Sequence, residues 1–137
     1  MKLPLAIVAS ALAAGLVFGG SMWRVPAPAK PEHVLLLYVG ADDCAPCRVW
    51  QGGDEQQFIA SPTFARLTYR TVKAPTLFGL LDDAVWPDDL KPYRDRLDRR
   101  AGAPLWLIVA DSDVVAQQFG LSQWRQAVLP KLESLVR

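Results

Sequence analysis

The order of apolar and amphipathic segments predicts an α/β domain, with a mixed central sheet of about four strands flanked by helices. Two observations carry this. Residues 34–39 (Val-Leu-Leu-Leu-Tyr-Val) and 105–110 (Leu-Trp-Leu-Ile-Val-Ala) are short unbroken apolar runs, the pattern of strands buried on both faces. The remaining segments fall in the order strand, helix, strand, helix, strand, strand, helix, a βαβ half followed by a ββα half. The chain also carries 11 prolines, which would break the long helices of an all-helical bundle.

After the first strand, Gly40-Ala-Asp-Asp43 reads as a turn, and residues 44–51 suit the first turns of a helix. Gly52-Gly53 interrupts that helix, and Asp54 is placed to cap a second piece over residues 55–60. Ser61-Pro62 stops it, and a short helical turn over 63–67 follows. Residues 68–74 alternate with β-branched and aromatic side chains (Thr68, Tyr69, Thr71, Val72) and are predicted as a strand. Residues 75–87 offer no clear element. Pro87-Asp88-Asp89 opens a helix predicted to run to about Arg100, with Leu90, Tyr93 and Leu97 on one face and Gly102 as its end. Asp111-Ser-Asp113 turns the chain into a partner strand over 114–119. Ser122 is expected to cap a last helix over 123–136, which Pro130 should kink or split.

Residues 1–24 stand apart. Met1-Lys2 is followed by an uncharged stretch to Trp23, close to the ~20 apolar residues a membrane-crossing helix needs. This N-terminal hydrophobic helix is read as a signal anchor or a cleaved signal peptide. Lys2 favours keeping the short tail inside, although Arg24 and Lys30 oppose it. The rest is then expected to be extracytoplasmic, on the periplasmic side of an inner membrane. Residues 25–32, with three prolines, read as a stiff linker, and residues 33–137 as the domain. A net charge of +1 gives no bias towards nucleic acid.

The chain has two cysteines, two residues apart, and one histidine. That set cannot complete a four-ligand zinc site without carboxylates, and haem attachment would need His where Arg48 stands. A thiol at the junction of a buried strand and a helix faces unpaired N–H groups and the positive end of the helix dipole, and both stabilise a thiolate. Cys44 is therefore the expected exposed nucleophile, with Cys47, one turn in, as the more buried resolving thiol. Asp42 and Asp43 work against the thiolate, and Arg48 offsets them. Three readings follow: a dithiol–disulfide enzyme, a Cu(I) carrier using Cys44 and Cys47 with His33 as a possible third ligand, and a non-catalytic anchored binding module with a static disulfide.

Residues 35–38, the Cys44-Ala-Pro-Cys47-Arg48 turn, Ala103-Pro104 directly before the 105–110 strand, and the closing hairpin, Gly120 and helix resemble the thioredoxin-like fold family. The spacing of Cys47, Trp50, Phe58, Ser61-Pro62, Phe64 and Leu67 is closer to its periplasmic members. The resemblance implies a thiol–disulfide oxidoreductase with Cys44 and Cys47 as catalytic residues. It also implies a cis Pro104 packed against them, and substrate backbone paired at Ala103. The expected partners are disulfide- or dithiol-containing proteins and an upstream thiol donor, with no cofactor. Ala74-Pro75 is a weaker cis-proline position, because no strand pair follows it. Tyr38 stands where the family has a buried acid, and Asp43 where it has tryptophan. The 74–103 stretch is longer than in thioredoxin. Trp86, Trp50 and Trp106 are expected in the core, Trp86 with partner contact as its alternative. His33 is expected at a linker end, Asp88-Asp89 as capping acids and Arg94–Arg100 as a solvated face.

Overall fold

A computed structural model describes residues 26–137 apart from Arg99 and Ala101. The N-terminal hydrophobic segment, residues 1–24, lies outside the described residues. Among the described residues no helix is long and apolar enough to cross a membrane.

Four strands form one sheet, β1 (Val34–Ala41), β2 (Thr68–Ala74), β3 (Leu105–Ala110) and β4 (Asp113–Phe119), in the order β2-β1-β3-β4. β1 pairs parallel with β2, and β3 pairs antiparallel with both β1 and β4. The sheet is therefore mixed, as the segment order requires: the parallel pair needs a crossover, which α1 (Ala45–Gly52) and α2 (Asp54–Ile59) supply. The antiparallel pair β3–β4 needs only a tight turn, and Asp111 and Ser112 form it at φ 48° and 79°. Both central strands are fully covered, with Leu36, Leu37, Tyr38, Trp106 and Leu107 at 0–1% exposure, which explains their unbroken apolar sequence.

Each face has its own cover. Tyr38 and Trp106, cross-strand partners, form one aromatic cluster with Trp50 of α1 and Trp124 of the C-terminal segment, its neighbouring ring centroids 4.4–6.2 Å apart. On the other face Leu35 and Val109 line one cleft with Leu90 and Tyr93, from the Asp88–Leu90 turn and α3 (Lys91–Arg94).

Several expectations need correction. The helix expected to reach Arg100 ends at Arg94. Asp83 draws Lys91 and Arg94 onto itself at 2.9 and 2.8 Å, so that surface is organised by tertiary ion pairs instead of helical periodicity. Arg94, expected on a solvated face, has a side chain only 16% exposed. Ser122 does not cap the last helix: its side chain makes no cap hydrogen bond, and the chain enters a π-helical turn, Trp124–Val128, before α4 (Leu129–Val136). Pro130 splits the helix as anticipated. It has no N–H for the preceding turn and sits in the first turn of α4, where none is needed. Asp54 starts α2 without capping it. Its Oδ1 instead accepts from Arg125 Nε and Nη2 at 2.9 and 2.6 Å, tying α2 to the π turn. Asp88 and Asp89 stand in the first turn of the Asp88–Leu90 helix as expected, and they also pair with Lys91 and Arg70.

Candidate active site

β1 ends at Ala41, and two turn residues later Cys44 takes an extended conformation (φ −90°, ψ 104°) as the N-cap of α1. Its N–H donates to Ala41 O at 3.2 Å, and its carbonyl accepts from Arg48 N at 3.2 Å. Pro46 sits in the first helical turn, where its missing N–H loses no partner. The CxxC spacing brings the two Cα atoms to 5.2 Å, and Cys44 and Cys47 are joined as a disulfide. Cys44 Sγ also accepts the backbone N–H of Cys47 at 3.2 Å. In the reduced protein that donor, at the positive end of the α1 dipole, stabilises a Cys44 thiolate.

Cys44 is less open than expected. It is 2% exposed and Cys47 0%. The cap explains this: the sulfur is turned back over the first turn towards Cys47, while its neighbours Ala45 and Pro46 are exposed. Asp43 differs too. Its Oδ1 accepts the Leu77 N–H at 2.8 Å, so this carboxylate holds the 75–87 loop beside the cysteines. Arg48 reaches the Asp42 carbonyl oxygen at 2.7 Å instead of the carboxylates.

The sheet register brings Ala103 and Pro104 to the same end. Leu105 pairs with Val39, so Pro104 lies at the edge from which β1 leads to Cys44. The Ala103–Pro104 bond is the one cis peptide among the described residues. Pro104 is buried and Ala103 partly so; Pro104 O accepts from Gly120 N at 2.9 Å, at a glycine whose φ of 93° suits no other residue well. His33 goes to the opposite end. It precedes Val34, which pairs with Ala110, and its N–H donates to Asp111 Oδ1 at 2.9 Å. The eight residues of β1, roughly 3.3 Å each, separate it from the cysteines, so a Cys44–Cys47–His33 ligand set is not assembled. Trp86 belongs to the core at 3% exposure, with Nε1 donating to Leu80 O at 2.9 Å, and it offers a partner no surface.

Two partly buried polar pairs link the sheet to α1 and α2, and the sequence did not announce them. Gln51 Nε2 donates to Tyr38 Oη at 2.8 Å. Gly40 is required beside it, since a methyl there would collide with that phenol. Tyr69 Oη donates to Glu55 Oε1 at 2.6 Å. Burial raises the pKa of both tyrosines; the Glu55 charge adds to each, and Gln51 opposes part of the shift at Tyr38. A phenol whose folded pKa exceeds its unfolded value of about 10 contributes stability fully below that pH and loses it as pH rises towards the folded pKa. Stability should therefore decline once pH passes about 10. In a pH titration followed at 295 nm, the tyrosinate signals of Tyr38 and Tyr69 should appear together with unfolding. Ionisation of both near pH 10 in the folded protein would contradict this.

No protein-family model matches the sequence, and no curated protein matches it. Solved structures do match. Thioredoxin of Malassezia sympodialis (Mala s 13) superposes with a TM-score of 0.53 at 12% identity, over 79% of this chain and 81% of that one. Thioredoxin f2 of Chlamydomonas reinhardtii gives 0.52 at 12% identity, over 78% and 84%. The oxidised thioredoxin of Plasmodium falciparum gives 0.50 at 12%, over 77% and 84%. The chain has a thioredoxin-like fold. Within that fold the disulfide stands at the β1–α1 junction, and the thioredoxin-like sheet end also carries Ala103 and Pro104.

Proposed function

We propose that this thioredoxin-like domain is a thiol–disulfide oxidoreductase that reduces disulfides of exported proteins. The Cys44–Cys47 disulfide capping α1 carries the reading. In the reduced enzyme the Cys44 thiolate attacks a substrate disulfide. A mixed disulfide forms and one substrate thiolate leaves. Cys47, deprotonated, then attacks Cys44 Sγ, releasing the second substrate thiolate and closing the Cys44–Cys47 bond. Two electrons have passed to the substrate, and a dithiol donor restores the enzyme. Ala103 and Pro104 are the proposed docking backbone, because the register sets them at the same sheet end as Cys44. The Ala-Pro pair between the cysteines supports the reducing direction. The apolar segment at residues 1–24 supports action outside the cytoplasm, with the domain anchored or released on the periplasmic side.

The test combines insulin reduction with a reduction potential read in a glutathione series. Turnover, with a potential in the range of known dithiol exchangers, is the expected result. No turnover, together with a Cys44 inert to alkylation after reduction, would leave a static disulfide in a binding module. Stoichiometric tight Cu(I) binding with slow exchange would instead indicate a carrier that uses the two thiolates alone.

A further inference from the structure

β2 and β4 are the two edges of the sheet, and they differ. β2 carries Arg70 and Lys73, and basic side chains on an edge discourage a further strand from pairing there. β4 has no charge and no proline from Val114 to Phe119. It also shows two large apolar side chains to solvent, Val115 at 40% and Phe119 at 54% exposure. The β3 register fixes its backbone directions. Gly120 N–H donates to Pro104 O, and successive residues of a strand turn their N–H and C=O groups to alternate sides. Ala116 and Gln118 therefore face β3, as Gly120 does, while the N–H and C=O groups of Gln117 and Phe119 point away from the sheet. Among the described residues no other strand takes them up. Val115 is the residue that the bulge opposite Ile108 and Val109 leaves out of the β3 register.

We propose that β4 is the surface through which two copies of this chain associate, paired antiparallel about a two-fold axis at Gln117. The strand complements itself in that register. Gln117 meets its own copy, and their outward backbone groups exchange two hydrogen bonds. Val115 of each copy stands opposite Phe119 of the other. Val115, Gln117 and Phe119 share one face by the period of two, so each copy's exposed apolar pair covers its partner's, and no like charges meet along the contact. An axis at Ala116 or Gln118 would call on backbone groups that β3 already uses. One patch serving both partners is the isologous contact of a two-fold dimer. Because the paired strands run in opposite directions, the two disulfides come to opposite ends of the joined sheet. A contact limited to residues 115–119 falls short of the ~1,200 Å² of a stable interface, so the dimer is weak and depends on concentration.

Sedimentation velocity of the full chain in detergent, over a concentration series reaching about 1 mM, reads the association. The parent should pass from monomer to dimer. Val115→Lys and Phe119→Glu change exposed positions and should fold as the parent does, which circular dichroism checks. Each should raise the dimer dissociation constant about tenfold or more, because each spoils two symmetry-related pairs. An equimolar mixture of the two variants should dimerise again. The introduced lysine and glutamate then face each other at one pair, and the native Val115 and Phe119 at the other. Gln117→Lys, which sets like charges opposite each other at the axis, should also hold the chain monomeric. A parent that stays monomeric throughout overturns the proposal. So does a dimer that survives the three single variants, which assigns the association to another surface, residues 1–24 included. A mixture that stays monomeric refutes the register about Gln117.

Discussion

Serine at position 44 should leave a folded domain whose insulin-reducing turnover is lower by on the order of 10³-fold or more, since a hydroxyl supplies no nucleophile at neutral pH for exchange with sulfur. Serine at position 47 should fail differently. Cys44 would still attack, but the mixed disulfide would have no internal thiol to resolve it, and substrate protein would stay attached until a reductant such as dithiothreitol is added. Non-reducing electrophoresis reads both outcomes. The asymmetry comes from the structure: Cys44 caps α1 from outside with an extended backbone, whereas Cys47 lies within the helix at 0% exposure. The fold should survive both changes, because the bond closes a loop of sequence separation 3, worth about 2 kcal/mol in the chain-entropy account. If Cys44→Ser kept full turnover, or if covalent adducts accumulated on the serine-44 variant instead of the serine-47 variant, the assigned roles would be wrong.

The largest loss of stability is expected from Trp50→Ala. Trp50 projects from α1 three residues after Cys47 and is 0% exposed. Its ring lies 4.4 Å from Tyr38 and 5.3 Å from both Trp106 and Trp124. It therefore joins the cysteine-bearing helix to the sheet and to the C-terminal segment at once. Truncating a buried aromatic of this size costs about 3–5 kcal/mol, a large share of the ~5–15 kcal/mol that holds a domain together. Trp50→Phe should cost much less, because the indole Nε1 of Trp50 is buried with no hydrogen-bond acceptor, so no polar partner is lost with it. Urea unfolding should show the lower midpoint for Trp50→Ala with an unchanged slope. A cost below about 1 kcal/mol would mean that the cluster repacks.

The parts of the fold that were legible in the sequence share one property: their signal is local. The 34–39 and 105–110 runs are apolar because both faces of a central strand are covered. The 68–74 strand, the Gly52-Gly53 break and the Pro130 split follow from backbone chemistry within a few residues. The cysteine pair could be placed at a strand–helix junction for the same reason. Other expectations failed where a distant partner decides. The helix after Pro87 stops at Arg94, where Asp83, eight residues before Lys91, gathers the basic side chains. Asp43 also holds the Leu77 N–H, 34 residues on, a role its neighbours in sequence do not indicate. Ser122 and Asp54 look like caps, but the π turn and Arg125 put them to other uses.

Residue order alone thus established a mixed α/β sheet and two thiols poised at a helix start, because pattern period and turn chemistry act over a few neighbouring positions. Folding in three dimensions decided how far the Cys44 sulfur is turned inwards. It also set His33 at the far end of β1 from the cysteines, and pinned Leu77 to Asp43 beside them. The last two depend on a strand pairing or a hydrogen bond between residues remote in the chain, and the first on the exact cap geometry at Cys44; local composition encodes neither.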